Sequence, residues 1–224
     1  MARDWPEKLF VAGTDTGVGK TLVCAVLTAG LRADYWKPVQ SGLDEPTDTE
    51  WVYRHTGLGK DHFHPETYRL TRPLSPHAAA EQDGIRIRLN RFRLPRVQPG
   101  RSLVVEGAGG VMAPLNRTRF MLDLMKRLEL PILLTARSTL GTINHTLLSL
   151  EQLRRHGLAI LGVVMNGPRN EVNRKALEHY GKTRVLAEIE PLPRIDASTL
   201  TAEFRKMNSK PHVIHLGHER KNPF

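Results

Sequence analysis

The sequence predicts an α/β protein built on a mostly parallel sheet with helices on both faces. Short apolar runs alternate with amphipathic stretches along the chain. Runs such as Ile132-Leu133-Leu134 and residues 160–165 are almost continuously apolar, as strands buried on both faces must be. Near the start, residues 9–21, LFVAGTDTGVGKT, carry an apolar strand through a Gly-rich loop into a helix. Strands are expected at 9–12, 35–38, 103–106, 132–135, 160–166 and 184–187, and helices at 21–29, 47–55, 120–128, 143–156 and 171–180. In a sheet of this kind ligands collect at the carboxyl ends of the strands. The unusual residues of this chain lie there.

Leu9, Phe10 and Val11 read as the first strand, and Gly13, Gly17 and Gly19 allow the tight turn that follows. Backbone N–H groups of such a loop converge at a helix N-terminus, where the dipole also favours an anion. Lys20 then reaches the β- and γ-phosphates of a nucleotide, and the Thr21 hydroxyl joins a Mg²⁺ shell. The pattern G-x-x-x-x-G-K-[ST] is met except at its first position, which holds Thr14. A plain Gly-rich turn is the alternative, but strand, loop, Lys-Thr and helix follow one another. The expected fold is accordingly of the P-loop NTPase type.

The second strand ends in Lys37-Pro38-Val39-Gln40-Ser41-Gly42, where Pro38 holds Lys37 extended and ends regular pairing. The third ends in Glu106-Gly107-Ala108-Gly109-Gly110. A carboxylate at the tip of an apolar strand beside a phosphate loop is a natural Mg²⁺ ligand, directly or through water. The competing reading, a surface acid that happens to end a strand, fits less well, since a charge so near an apolar interior usually has a partner. Residues 135–142 supply another strand-to-helix transition, readable as capping or as a second anion site.

One domain spanning residues 1–224 is expected, with a basic C-terminal tail from about 201. No linker or repeat divides the chain, no apolar h-region opens it, and nowhere do 18 apolar residues run together. The single cysteine, Cys24, has no partner for an intrachain disulfide, which suits a reducing cytoplasm. The ten histidines form no recognised metal pattern, and His212, His215 and His218 sit in the polar tail. The formal charge of +10 draws on six arginines in residues 85–101 and on Arg205, Lys206, Lys210, Arg220 and Lys221. Without a nucleic-acid-reading module, a solvated basic face that attracts small anions is favoured over a nucleic-acid patch, and neither nucleic acid nor membrane is expected as a partner.

Together, GTDTGVGKT at 13–21, KPVQSG at 37–42, VEGAGG at 105–110 and LGTINH at 140–145 resemble the dethiobiotin synthetase family, and in that family's order. SPH at 75–77 and MNG at 165–167 extend the resemblance, which covers about residues 8–193. It implies an ATP-dependent ring closure in biotin synthesis. One amine of 7,8-diaminononanoate takes up CO₂ (or bicarbonate) as a carbamate, whose oxygen attacks the γ-phosphate of ATP. The neighbouring amine captures the resulting mixed anhydride, giving dethiobiotin, ADP and phosphate.

By the same resemblance Gly17, Val18, Gly19, Lys20, Thr21 and Leu22 form the phosphate loop, with Thr21, Asp48 and Glu106 on Mg²⁺. Asp44, Glu45 and Glu50 are rivals to Asp48. Gly107, Ala108 and Gly109 line the nucleotide, Asn166 and Gly167 meet adenine, and Glu190, Pro191 and Leu192 close over the base. Gly167 replaces an acidic residue often found there, and residues 84–101 are shorter and more basic than in many relatives. Lys37 stabilises the carbamate and the transferring phosphoryl group, while Thr16 and Ser41 hold the diamine or carbamate. Leu140, Gly141, Thr142 and Asn144, with Tyr180 nearby, are expected to bind the substrate carboxylate from the partner subunit of a homodimer. The alternative is a switch ATPase of the partitioning or cell-division type acting on DNA or membrane. Against it, position 15 is Asp where such proteins carry a second lysine, and KPVQSG and LGTINH would have no duty.

Overall fold

The computed structural model describes residues 5–43 and 46–209. Asp44, Glu45, Lys210, Arg220, Lys221 and the tail histidines lie outside them. Strand β1 (Lys8–Gly13) runs through the phosphate loop into helix α1 (Lys20–Leu31), and β2 (Asp34–Trp36) follows. The chain breaks at Pro38, whose carbonyl accepts the N–H groups of Thr67 and Tyr68. It resumes as β3 (Val39–Ser41), which leaves the main sheet and pairs in parallel with β5 (Tyr68–Leu70). Between them come α2 (Asp48–Thr56) and the short β4 (Phe63–His64). Then follow α3 (Pro76–Gln82), β6 (Leu103–Glu106), α4 (Met121–Leu128), β7 (Ile132–Arg137), α5 (Thr142–Arg155), β8 (Ile160–Asn166), α6 (Glu171–Gly181), β9 (Val185–Ile189) and α7 (Ala197–Ser209).

Seven strands form one sheet in the order β4-β2-β6-β1-β7-β8-β9, and each pairing in it is parallel. The expected fold class holds. Because side chains alternate along a strand, Leu9 and Val11 enter one apolar layer while Phe10 and Ala12 enter the other. Val23, Val26 and Leu27 of α1, Val52 of α2, and Leu200, Phe204 and Met207 of α7 cover the first. Residues of α3, α4, α5 and α6, among them Ala79, Leu124, Leu150 and Leu177, cover the second.

All six expected strands and five expected helices are present, with ends shifted by up to two residues. Helix α4 starts one residue late because the Asp123 carboxylate accepts the Phe120 N–H at 2.8 Å and makes Phe120 the cap. The segment from Thr201 to Ser209, expected as part of a tail, is instead the body of α7. Its polar residues face out, and three apolar ones at helical spacing seal α1. At this seam a Cβ on Gly30 would lie 1.9 Å from Cγ of Phe204. Gly30→Ala should therefore push α7 off α1 and destabilise the protein by about 1–3 kcal/mol, read as a lower urea midpoint. An unchanged midpoint would show that α7 contributes little.

Candidate active site

The parallel register sets the tips of β1, β6 and β7 side by side: Val11 pairs with Glu106, and Gly13 with Thr135. The phosphate loop, Glu106 and the start of the 137–141 turn therefore open onto one edge of the sheet. A cleft of about 990 Å³ lies there, lined by Thr16, Gly17, Gly19, Lys20, Thr21, Lys37, Ser41, Asp48, Glu106, Ala108, Gly109 and Asn144. Residues proposed from five separate segments thus share one cavity.

At its floor Lys37 Nζ lies 2.5 Å from Asp48 Oδ2 and 2.9 Å from Glu106 Oε1. Burial alone would depress the Lys37 ammonium, but Glu106 and Asp48 together outweigh it and raise its pKa. Burial works against ionisation of Asp48 as well, yet Lys37 and the Thr21 hydroxyl bring its pKa below the usual value. Lys20 is lowered, first by burial and then by the nearby Lys37 charge. Its ammonium donates to the Asp15 carbonyl at 2.9 Å, folding the side chain back over the loop.

Asp48 opens α2 and is aimed by what surrounds it. Thr47 and Glu50 form a reciprocal cap, with Thr47 N–H donating to Glu50 Oε2 at 2.9 Å and Glu50 N–H to Thr47 Oγ1 at 3.2 Å. Glu50, a rival ligand, is thereby committed to the helix end. The Asp48 N–H donates to Gln40 Oε1 at 3.3 Å, which gives the glutamine of KPVQSG a task.

Thr21 Oγ1 lies 2.9 Å from both Asp48 Oδ1 and Glu106 Oε1. One hydroxyl proton can serve only one of them, so the other pair of oxygens meets without a proton between. A hard cation relieves that repulsion, and a hydroxyl with two carboxylates is a donor set suited to Mg²⁺. Among the described residues no cluster of three or more His, Cys, Asp or Glu side chains offers a competing metal site.

Around this centre, Ser41 Oγ is buried without a hydrogen-bond partner while its residue lines the cleft. Asn166 Nδ2 donates to the Val18 carbonyl at 3.2 Å, tying the β8 tip to the phosphate loop. Gly167 N–H donates to Ile189 O at 2.9 Å, so Glu190, Pro191 and Leu192 begin beside the Asn166–Gly167 pair. Gly107 N–H donates to Val11 O, and Leu22 packs into the α1-side core, so both support the site from behind. Asn144 lines the cleft of its own chain, whereas Leu140, Gly141, Thr142 and Tyr180 do not. The buried Thr142 hydroxyl donates to Arg137 O at 2.5 Å and its N–H to Thr139 O, so neither is free for a substrate.

Three contributors were not singled out for the site from the sequence. Asp15 accepts the Thr16 N–H at 2.7 Å and pairs with Arg137 at 3.1 Å, bracing the loop from β7. Tyr35 donates its phenol to Glu106 Oε2 at 2.8 Å. A signal for Tyr35 was present: it stands two residues before Lys37, on the same face of the strand.

A family model described as an AAA domain matches residues 7–199. The chain is 54% identical over 192 residues to the ATP-dependent dethiobiotin synthetase BioD of Paramagnetospirillum magneticum, covering 86% of this chain and 92% of that one. It is 48% identical over 197 residues to the protein of the same name from Rhodopseudomonas palustris strain TIE-1, covering 88% and 92%. A biotin biosynthesis bifunctional protein BioCD of Bordetella avium matches at 48% over 196 residues, 87% of this chain and 42% of that longer one. With such identity along nearly its whole length, and with the motif residues gathered in one cleft, the chain belongs to the ATP-dependent dethiobiotin synthetase family.

Proposed function

We propose that the chain is a C–N-bond-forming cyclo-ligase that converts 7,8-diaminononanoate, CO₂ and ATP to dethiobiotin, ADP and phosphate. The observation that carries this is the cleft itself. Its lining includes the phosphate loop with Lys20, the Lys37 ammonium, and the apolar side chains of Pro73, Leu74, Met112 and Leu148. A triphosphate and a diamine on a methylene chain are the two kinds of ligand such a cavity suits.

The chemistry divides among the residues by charge. One amine, deprotonated, adds to CO₂ and releases a proton, forming a carbamate anion. Lys37, which lines this cleft, would hold that anion close to the γ-phosphate, two groups that would otherwise repel each other. As the carbamate oxygen attacks phosphorus and ADP leaves, Lys20 and the loop N–H groups take up the charge that accumulates. The second amine then attacks the carbonyl carbon, phosphate departs, and the ring urea closes with loss of a proton. Thr16 and the unpartnered Ser41 hydroxyl hold the carbamate or diamine. Thr21, Asp48 and Glu106 would hold a Mg²⁺ ion, which would supply Lewis-acid neutralisation of the triphosphate charge. Asn166 keeps a carbonyl for the adenine amino group, beside the 190–192 turn.

The working unit is a homodimer. Leu140, Leu148, Val172 and Tyr180 are exposed on α5, α6 and the turn before α5, and a two-fold partner would cover them. No helix among the described residues is long and apolar enough to cross a membrane. The lone buried Cys24 supports a place in the reducing cytoplasm.

The test is which molecule drives ATP turnover. ADP release should require the diamine and bicarbonate together and ignore DNA and lipid vesicles. Stimulation by DNA or vesicles, with no response to the diamine, would hand the site to the switch-ATPase reading.

A further inference from the structure

Glu106 has both carboxylate oxygens gripped, and by one neighbouring strand. β2 lies beside β6 with Trp36 paired to Val105, so the next residues along, Lys37 and Glu106, come level at the sheet edge. Side chains alternate, so Tyr35 and Lys37 point to the same face while Trp36 points away, its indole N–H donating to Pro65 O. Lys37 reaches Oε1 at 2.9 Å and Tyr35 reaches Oε2 at 2.8 Å. Thr21 occupies Oε1 as well. Tyr35 is fully buried, with its ring against Phe63 at 6.1 Å between centroids, so the phenol is held in place from behind. Burial and then the nearby Glu106 charge push the Cys24 thiol up, so it stays protonated beside the carboxylate.

We infer that Tyr35 is a positioning residue for the cation site, pinning Glu106 Oε2 so that Oε1 stays turned toward Thr21 and Lys37. The inference rests on the proposed assignment of Thr21, Asp48 and Glu106 to Mg²⁺. A buried tyrosine could have filled this space as Phe does if only volume mattered. The hydroxyl is the added group, and its one hydrogen bond ends on the carboxylate that faces the chemistry. A partner that orients a ligand in this way is typically worth ten- to a hundredfold in metal affinity or activity.

The experiment measures Mn²⁺ binding by the EPR signal of free Mn²⁺, with β,γ-methylene-ATP present. Tyr35→Phe keeps the ring and removes the hydroxyl, and should raise the Mn²⁺ Kd on the order of tenfold. Phe63→Leu, which loosens the packing behind the ring, should lower thermal stability and leave the Kd at the wild-type value. Glu106→Gln should weaken binding by itself, and adding Tyr35→Phe to it should weaken it no further. That double variant also keeps the test open if Tyr35→Phe alone folds poorly, because the amide removes the buried charge. A wild-type Kd in Tyr35→Phe overturns the inference, as does an equal loss in Phe63→Leu or a further loss in the double variant. If Glu106→Gln binds Mn²⁺ as the wild type does, it is the cation-site assignment that fails.

Discussion

Lys20→Ala is expected to cut ATP turnover on the order of a hundredfold, about 3 kcal/mol of transition-state stabilisation. Lys20 is 7% exposed, and burial and the nearby Lys37 charge both act against its ammonium. An incoming triphosphate reverses that balance, so the charge is most strongly held when the polyanion is present. Alanine leaves the loop backbone intact but leaves the bridging and γ-phosphate charge facing one cation fewer as it grows. The loss should fall mainly on kcat. The loop N–H groups would still bind nucleotide, so ATP affinity by calorimetry should drop by less than turnover does. Full activity in this variant would remove Lys20 from the chemistry.

Mixing two inactive variants should restore activity if each site is completed by both subunits. Gly141→Val alone should raise the KM for the diamine far more than that for ATP. Gly141 caps α5 in the left-handed region at φ 89°, where a β-branched residue is strained, so valine distorts the turn that presents the helix start. Lys37→Ala alone should be inactive because the carbamate loses its counter-charge. In a mixed dimer, one site would combine the intact Lys37 of one chain with the intact Gly141 of the other. About half of the mixed dimers' sites should then work. A mixed dimer that forms but stays inactive would place the 140–144 turn in its own chain's site, where Asn144 already lines the cleft. A fully active monomer would also end the shared-site proposal.

The long, apolar parts of the fold were legible because periodicity reports burial. β6 and β8 match their expected bounds to the residue, and each apolar run closes on a polar residue followed by glycine, Glu106-Gly107 and Asn166-Gly167. What escaped was short or driven by distant contacts. β3, β4 and β5 have two or three residues each, too few to show a period. α7 reads as polar in composition, and its stripe of Leu200, Phe204 and Met207 has meaning only against an α1 far away in sequence. In the site, Lys37, Glu106 and Thr21 stood out by their positions at the ends of strands or the start of a helix, while Asp48 came only from the family resemblance, with Asp44, Glu45 and Glu50 as rivals. The mutual contacts of Lys37, Asp48, Glu106 and Thr21 were not legible. The spacing of Thr47 and Glu50 carries the signature of the α2 cap, but the tying of Thr142 to Arg137 could not be read before the chain was folded.

The seam between α1 and α7 also bears on how the chain is made. Trp5 and Asn208, 203 residues apart, are joined by a hydrogen bond of 3.2 Å, and α7 closes over the helix that begins at the phosphate loop. During synthesis the loop and α1 leave the ribosome well before the α7 segment that covers them. Such sequence-distant contacts make for slow, late consolidation. An emerging chain therefore holds its nucleotide loop on a helix with one apolar flank bare, the kind of surface that chaperones recognise. Closure of α7 over α1 is then expected to raise the affinity for ATP, and a nucleotide that prefers the closed form would favour that step.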